Sequence, residues 1–275
     1  MANAVIKFGN FTAALTDTQR LNCLVDHKDL YGDFYGGGSG FDFARSDLVP
    51  DVLYLDDPVA NLVAGADPAL GGPNNGNGTP KTIDVHANEG IKFPDTVEIK
   101  LPDDFNLFLL GDTPSARVSV WFDHYAAETT TKRVAGAGGY NHGTFLQWAI
   151  SASDTVYAVN VGSSGSNQSV TFPVTTGETL ISILWLKNSA NGFNAYIYHD
   201  DELVGTISRL YPLNNPADGG GSTIPSLGGS GGLTGAAKVV HRRIEVQPVD
   251  PATYTVEDHE AWIADQIALN GPRFA

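Results

Sequence analysis

One cysteine, Cys23, and one methionine stand among 275 residues. A single thiol excludes an internal disulfide framework and any zinc site built on cysteines. Cys23 is expected as a small buried apolar residue. Basic residues are also scarce: 16 Lys and Arg face 31 Asp and Glu, for a net charge of −15. Binders of nucleic acid or of anionic membranes need excess Lys and Arg, so neither is an expected partner, although a local basic site stays open. Long apolar runs are missing too. The longest, Leu180-Ile181-Ser182-Ile183-Leu184-Trp185-Leu186, ends at Lys187, far short of the ~20 residues that cross a bilayer. Met1 to Val5 shows no basic segment leading into an apolar one. The expectation is synthesis in a cytoplasm without a signal peptide. The sequons at Asn10, Asn77 and Asn167 then read as chance matches.

Catalytic and metal-binding patterns are equally sparse. Gly228-Gly229-Ser230-Gly231-Gly232 fits G-x-S-x-G, but a nucleophile elbow needs a strand before the serine and a helix after it. Here the serine lies in a glycine run. The seven histidines form no H-E-x-x-H, and no calcium-loop pattern occurs. His199-Asp200-Asp201-Glu202 offers oxygen ligands, yet it sits between two strand-like runs, where turn chemistry explains the acids. The paired acids of sandwich glucanases are absent, leaving only an unrecognised pair, such as Asp123 with a strand neighbour, for a hydrolase. No phosphate-cradling loop is found. The expectation is a protein that is not an enzyme and holds no metal and no cofactor.

What is present is strand pattern. Thr82–His86, Val97–Leu101 and Arg117–Phe122 alternate; Thr144–Ser151, Thr155–Val161 and Ser169–Val174 are short β-rich runs. Thr179–Leu186, Phe193–His199 and Ala237–Val246 follow, the last with Val239, His241, Arg243 and Glu245 opposite Val240, Arg242, Ile244 and Val246. Short strands separated by turn residues predict an all-β sandwich or barrel. The glycine-rich stretches 36–40, 71–78 and 219–232 read as turns or loops. Trp121, Trp148 and Trp185 lie inside strands and are expected in the core. Thr255-Val256-Glu257-Asp258 resembles a capping box opening a helix over about 255–269, with Trp262, Ile263, Ile267 and Leu269 as its apolar stripe. Asn270-Gly271-Pro272 is expected to stop it. Residues 1–50 read as an N-terminal docking or extension segment and 51–275 as the sandwich.

Aromatic residues in glycine-rich surroundings mark the candidate binding site. Tyr31 and Tyr35 lie near Gly32 and Gly36–Gly38, and Tyr140-Asn141 follows Gly138-Gly139. An exposed aromatic ring stacks on a sugar, and neighbouring amides bond its hydroxyls. Tyr31, Tyr35, Tyr140 and Asn141 are therefore the candidate carbohydrate contacts. The competing reading places these rings on the sandwich ends or against another subunit.

Val118-Ser119-Val120-Trp121-Phe122 and Leu146-Gln147-Trp148-Ala149-Ile150 resemble strands of laminin G-like or concanavalin A-like jelly rolls. Thr179–Lys187 followed by Asn194–Gly205 adds to the resemblance, with His199–Glu202 where the family has an Asn-Gly turn. Asp258–Phe274 is similar to the C-termini of bacteriophage virion proteins carrying such jelly rolls. The resemblance implies a concanavalin A-like jelly-roll sandwich with an N-terminal arm and a short C-terminal helix. It also implies a non-enzymatic structural or adhesive part of a phage particle, tail-associated, fibre-associated or decorating the capsid. Its partners would be other virion proteins and further copies of itself as a homo-oligomer. The alternative is a lectin-like adhesin recognising a host cell-surface glycan.

Overall fold

The computed structural model describes residues 38–45, 48–49, 52–54, 56–63, 66–73, 83–86, 90–93, 97–105, 115–139, 142–150, 156–163, 166–175, 177–189, 192–210, 225–228 and 236–274. Met1–Asp33 and Phe34–Ala275 form separate units, and the account that follows concerns the second. Its strands, numbered along the chain, make two antiparallel sheets. One sheet runs in spatial order β15 (Glu202–Leu210), β14 (Gly192–His199), β13 (Gly177–Ser189), β8 (Ser115–His124), β17 (Val239–Val249), β6 (Gly90–Lys92), β5 (Ile83–His86), β2 (Val52–Leu53). In that sheet β1 (Ser39–Asp42) also pairs with β17. The other sheet runs β12 (Ser166–Pro173), β11 (Val156–Ser163), β10 (His142–Ile150), β9 (Lys132–Gly139), β16 (Ser226–Gly228), β7 (Val97–Lys100), β4 (Ala69–Pro73), β3 (Pro58–Val59). A single helix, α1 (Val256–Phe274), follows among the described residues.

Side-chain alternation builds the sandwich. In β8, Ala116, Val118, Val120 and Phe122 enter the main core, as do Ile181, Ile183 and Trp185 of β13 and Phe193, Ala195 and Ile197 of β14. Trp185 is fully buried and stacks on Phe193 with ring centroids 3.7 Å apart. The opposing sheet answers with Val97, Ile99, Val134, Val159, Phe172 and Leu227. Gly205 lets β15 pass close to β12, because a Cβ there would lie 2.7 Å from the Val170 side chain.

Strict alternation fails in β17. A bulge between His241 and Arg243 in its pairing with β8 shifts the phase by one residue. Val239, Ile244 and Val246 consequently share the core, whereas unbroken alternation sets Val239 opposite Ile244 and Val246. His241 is completely buried; its Nε2 donates to the Val134 carbonyl at 2.9 Å, and its ring meets the Phe93 edge-on. Burial pushes its pKa down to about 4.

Helix α1 docks on the outer face of the β8-containing sheet. The capping box forms as read: Thr255 Oγ1 accepts the Asp258 N–H at 3.2 Å, and Asp258 Oδ2 accepts the Thr255 N–H at 2.9 Å. Ile263 packs with Ala44, Trp121, Leu180 and Tyr198. Trp121 thus lies beneath the helix and outside the main core. The buried stripe is His259, Ile263, Gln266 and Asn270, three of the four polar. Ser182 Oγ donates to the Val118 carbonyl at 3.4 Å and sits 3.0 Å from His259 Nε2. His259 Nδ1 has no hydrogen-bond partner among the described residues. Burial, then the Arg117 guanidinium, pushes the His259 pKa down to about 3. That guanidinium lies 4.3 Å from the Trp262 ring centroid and donates from Nη1 to the Tyr254 hydroxyl at 3.1 Å.

Three further expectations need correction. The helix runs to Phe274 instead of stopping at Asn270-Gly271-Pro272. Asn270 is wholly buried and its amide donates to Gln266 Oε1 at 2.8 Å, while Pro272 falls in the last turn, where its missing N–H removes one bond. The 219–232 stretch holds β16, whose central Leu227 enters the core between β7 and β9. Residues 71–73 belong to β4. Ser39–Asp42, within the stretch read as a docking or extension segment, pairs with β17 and takes Phe41 into the core. Cys23, Trp148 as a side chain, and residues 1–37, 46, 47 and 50 lie outside the described residues.

Gly90 tests how tightly β6 enters the sheet. Its φ is +118°, and a Cβ would lie 2.2 Å from the His241 carbonyl oxygen. Gly90→Ala is expected to cost about 2 kcal/mol or more, read as a lower urea midpoint. An unchanged midpoint would refute that close approach.

Candidate functional site

The chain between β8 and β9, Tyr125 to Thr131, is Tyr-Ala-Ala-Glu-Thr-Thr-Thr. It is polar, so it turns at the sandwich rim, and it is stitched to the residue that enters β17. The Tyr125 N–H donates to the Lys238 carbonyl at 3.1 Å, and Lys238 Nζ donates to the Ala127 carbonyl at 2.7 Å. The Lys238 N–H donates to Glu128 Oε1. Beside it, the Ala237 N–H donates to the Arg133 carbonyl at 2.8 Å. These bonds hold a short loop open against a strand start.

Between them lies a pocket of about 470 Å³, lined by Phe93, Tyr125, Glu128, Thr129, Lys132 and Lys238. Phe93 is buried; Tyr125 is 47% exposed and among the large hydrophobic side chains that face solvent. Lys92 Nζ stands 4.8 Å over the Tyr125 ring, a cation–π distance. Glu128 is only 5% exposed, and its Oε2 has no hydrogen-bond partner among the described residues. The pocket thus joins an aromatic surface, a hydroxyl, a carboxylate and lysine ammonium groups. Such a set suits a small polyhydroxylated ligand: the aromatic ring takes the apolar face, and the polar groups orient its hydroxyls. Glu128 is the single acid of the lining, whereas glycoside cleavage uses two facing carboxylates.

The four sequence candidates, Tyr31, Tyr35, Tyr140 and Asn141, all lie outside the described residues. Asp123 does acquire a strand neighbour, since it pairs in register with Glu178. Arg242 holds that neighbour, donating from Nε at 2.9 Å and from Nη2 at 2.6 Å to Glu178 Oε1. Burial pushes the Glu178 carboxyl up, Arg242 opposes this, and Asp123 adds to it. A carboxylate clamped by arginine at a strand pair serves the sheet. His199–Glu202 forms the β14–β15 turn as read, with His199 paired to Glu202. Asp200 has φ +52° and accepts the Leu180 N–H at 2.9 Å. Among the described residues no group of three or more His, Cys, Asp or Glu could hold a metal ion, and no helix is long and apolar enough to cross a membrane.

Sequence reading passed over Tyr125, Glu128, Lys132 and Lys238. The available signal was Tyr125 immediately after the alternating run of β8, where an aromatic leaves the sheet. Lys238 gave none, because it is 113 residues from Tyr125 in sequence.

No family model matches the chain, and no curated protein sequence matches it. Solved structures do share its fold. One is domain 4 of AbnA, a GH43 extracellular arabinanase from Geobacillus stearothermophilus, in complex with arabinotriose. The TM-score is 0.53 at 14% identity, covering 82% of this chain and 97% of that one. Another is Trypanosoma rangeli sialidase in complex with 2,3-difluorosialic acid, with TM-score 0.51 at 11% identity. That match covers 81% of this chain and 33% of the sialidase. At such identities the likeness is one of fold alone, a β-sandwich of antiparallel sheets.

Proposed function

We propose that this chain is a non-catalytic, lectin-like carbohydrate-binding sandwich and that the Tyr125–Lys238 rim pocket receives the sugar. The observation that carries this reading is the exposed Tyr125 ring beside the buried Glu128 carboxylate in one pocket of about 470 Å³. A sugar ring has apolar C–H faces and hydroxyl edges, and this lining has a partner for each. The arabinanase domain of the same fold is in complex with arabinotriose, which supports testing oligosaccharides first. Calorimetry against a panel of neutral and acidic oligosaccharides is expected to find a ligand whose affinity falls at least tenfold in Tyr125→Ala. Absence of binding across the panel, or full binding by Tyr125→Ala, would overturn the assignment of this pocket.

A second reading concerns where the sandwich is carried. The similarity of Asp258–Phe274 to the C-termini of phage virion proteins favours a particle component, in tail, fibre or capsid decoration, present in several copies. The two readings are compatible, since an adhesin on a particle binds glycans. Mass spectrometry of purified particles would find the chain, and light scattering would give a fixed oligomer. Particles free of the chain would remove this placement.

A further inference from the structure

Positive charge is scarce in this chain, yet ammonium groups outnumber carboxylates in the lining of the pocket. Of eight lysines in a sequence of net charge −15, Lys132 and Lys238 line the cavity and Lys92 stands over the ring of Tyr125. Against the two lysines of the lining stands one acid, Glu128, whose Oε1 already accepts the Lys238 N–H, while Lys92 outside the lining pairs in register with Asp84. Lys238 Nζ gives one hydrogen bond to the Ala127 carbonyl, and an ammonium has three donors, so two remain to be directed elsewhere. Lys92 over the Tyr125 ring puts a further ammonium beside the aromatic surface.

We infer that the ligand of this pocket is an acidic saccharide, a sugar bearing a carboxylate that Lys132 and Lys238 receive while Tyr125 meets the ring. The inference rests on the reading of the pocket as a glycan site and adds the charge of its ligand. At physiological salt, exposed charges act over about 8 Å. Acids farther than that are largely screened at the pocket, and within its lining two ammonium groups outnumber one carboxylate. Charge-assisted hydrogen bonds from ammonium to carboxylate are also roughly twice as strong as those between neutral groups.

The test uses the full chain with uronic-acid and sialic-acid oligosaccharides, each beside its carboxyl-reduced counterpart, in which the carboxylate has become a primary alcohol. Calorimetry is expected to show at least one acidic oligosaccharide binding ten or more times tighter than its reduced form. The double variant K132Q/K238Q is expected to abolish that difference, so that the acidic sugar and its reduced form bind it alike. Equal affinity for an acidic sugar and its reduced form, or binding of neutral sugars alone that is lost in Tyr125→Ala, overturns the acidic ligand and leaves the glycan pocket standing. Binding to neither set overturns both. The comparison of acidic with reduced sugar needs only the unaltered chain, so it decides even if the double variant fails to fold.

Discussion

Moving from pH 7.5 to pH 5.0 is expected to lower the unfolding free energy by about 4 kcal/mol, through two buried histidines. His241 sits in the core beside Phe93, and His259 sits between α1 and the sheet, both with no exposed surface. Burial pushes their pKa values to about 4 and about 3, from an ordinary 6.5. Both rings therefore stay neutral in the folded chain, while the unfolded chain protonates them as the pH drops through 6.5. Well below pH 6.5 the unfolded state holds about two more protons, so stability there falls by about 3 kcal/mol per pH unit. The loss stops growing only as the pH nears the folded values. Around His259 the facing groups are Arg117, Tyr198 and Tyr254; the arginine is cationic and adds to the cost of a second positive charge. Glu178 acts in the opposite sense: its raised carboxyl pKa favours the folded state at low pH. Urea unfolding at several pH values checks this, with H241Q and H259Q as non-titrating variants that keep an amide donor. The slope is expected to fall from about two protons to about one in either variant. Flat stability between pH 7.5 and 5.0 would show that neither ring is held neutral by burial.

Trp185→Ala is expected to cost about 3–5 kcal/mol, a large share of the roughly 5–15 kcal/mol that holds a typical domain folded. Trp185 occupies the inner face of β13 near the middle of the larger sheet, fully buried, with its ring 3.7 Å from that of Phe193 at an angle of 14°. Truncation removes the stacked surface and leaves a cavity between two strands whose neighbours on both sides are fixed by pairing, so the gap closes poorly. Circular dichroism across a urea series would show the midpoint falling steeply or the variant unfolded without denaturant. A loss under 1 kcal/mol would mean that the sheet relaxes into the space. Trp185→Phe keeps most of the aromatic surface and is expected to recover a good part of the loss.

Much of the sandwich was legible because a half-buried strand writes period two into its residues. β8, β13 and β14 are plain in Val118, Val120 and Phe122, in Ile181, Ile183 and Trp185, and in Phe193, Ala195 and Ile197. The capping box at Thr255 was equally plain, since its donors and acceptors are three residues apart. Shorter elements left no period to read: β16 contributes one core residue, Leu227, and β6 one, Ile91. The bulge at Arg242 misled, because alternation carried through it assigns the wrong face to Ile244 and Val246.

The sequence by itself determined that this chain is an all-β sandwich with a capped C-terminal helix and a strongly acidic balance, since alternation, capping and charge are local or summed properties. Only the tertiary structure decided that a polar histidine stripe seals the helix to the sheet, and that Tyr125, Glu128, Lys132 and Lys238 share one pocket. The physical reason is the antiparallel pairing of β17 with β8: it carries Lys238 back beside Tyr125 across more than a hundred residues, and no sequence window spans that return.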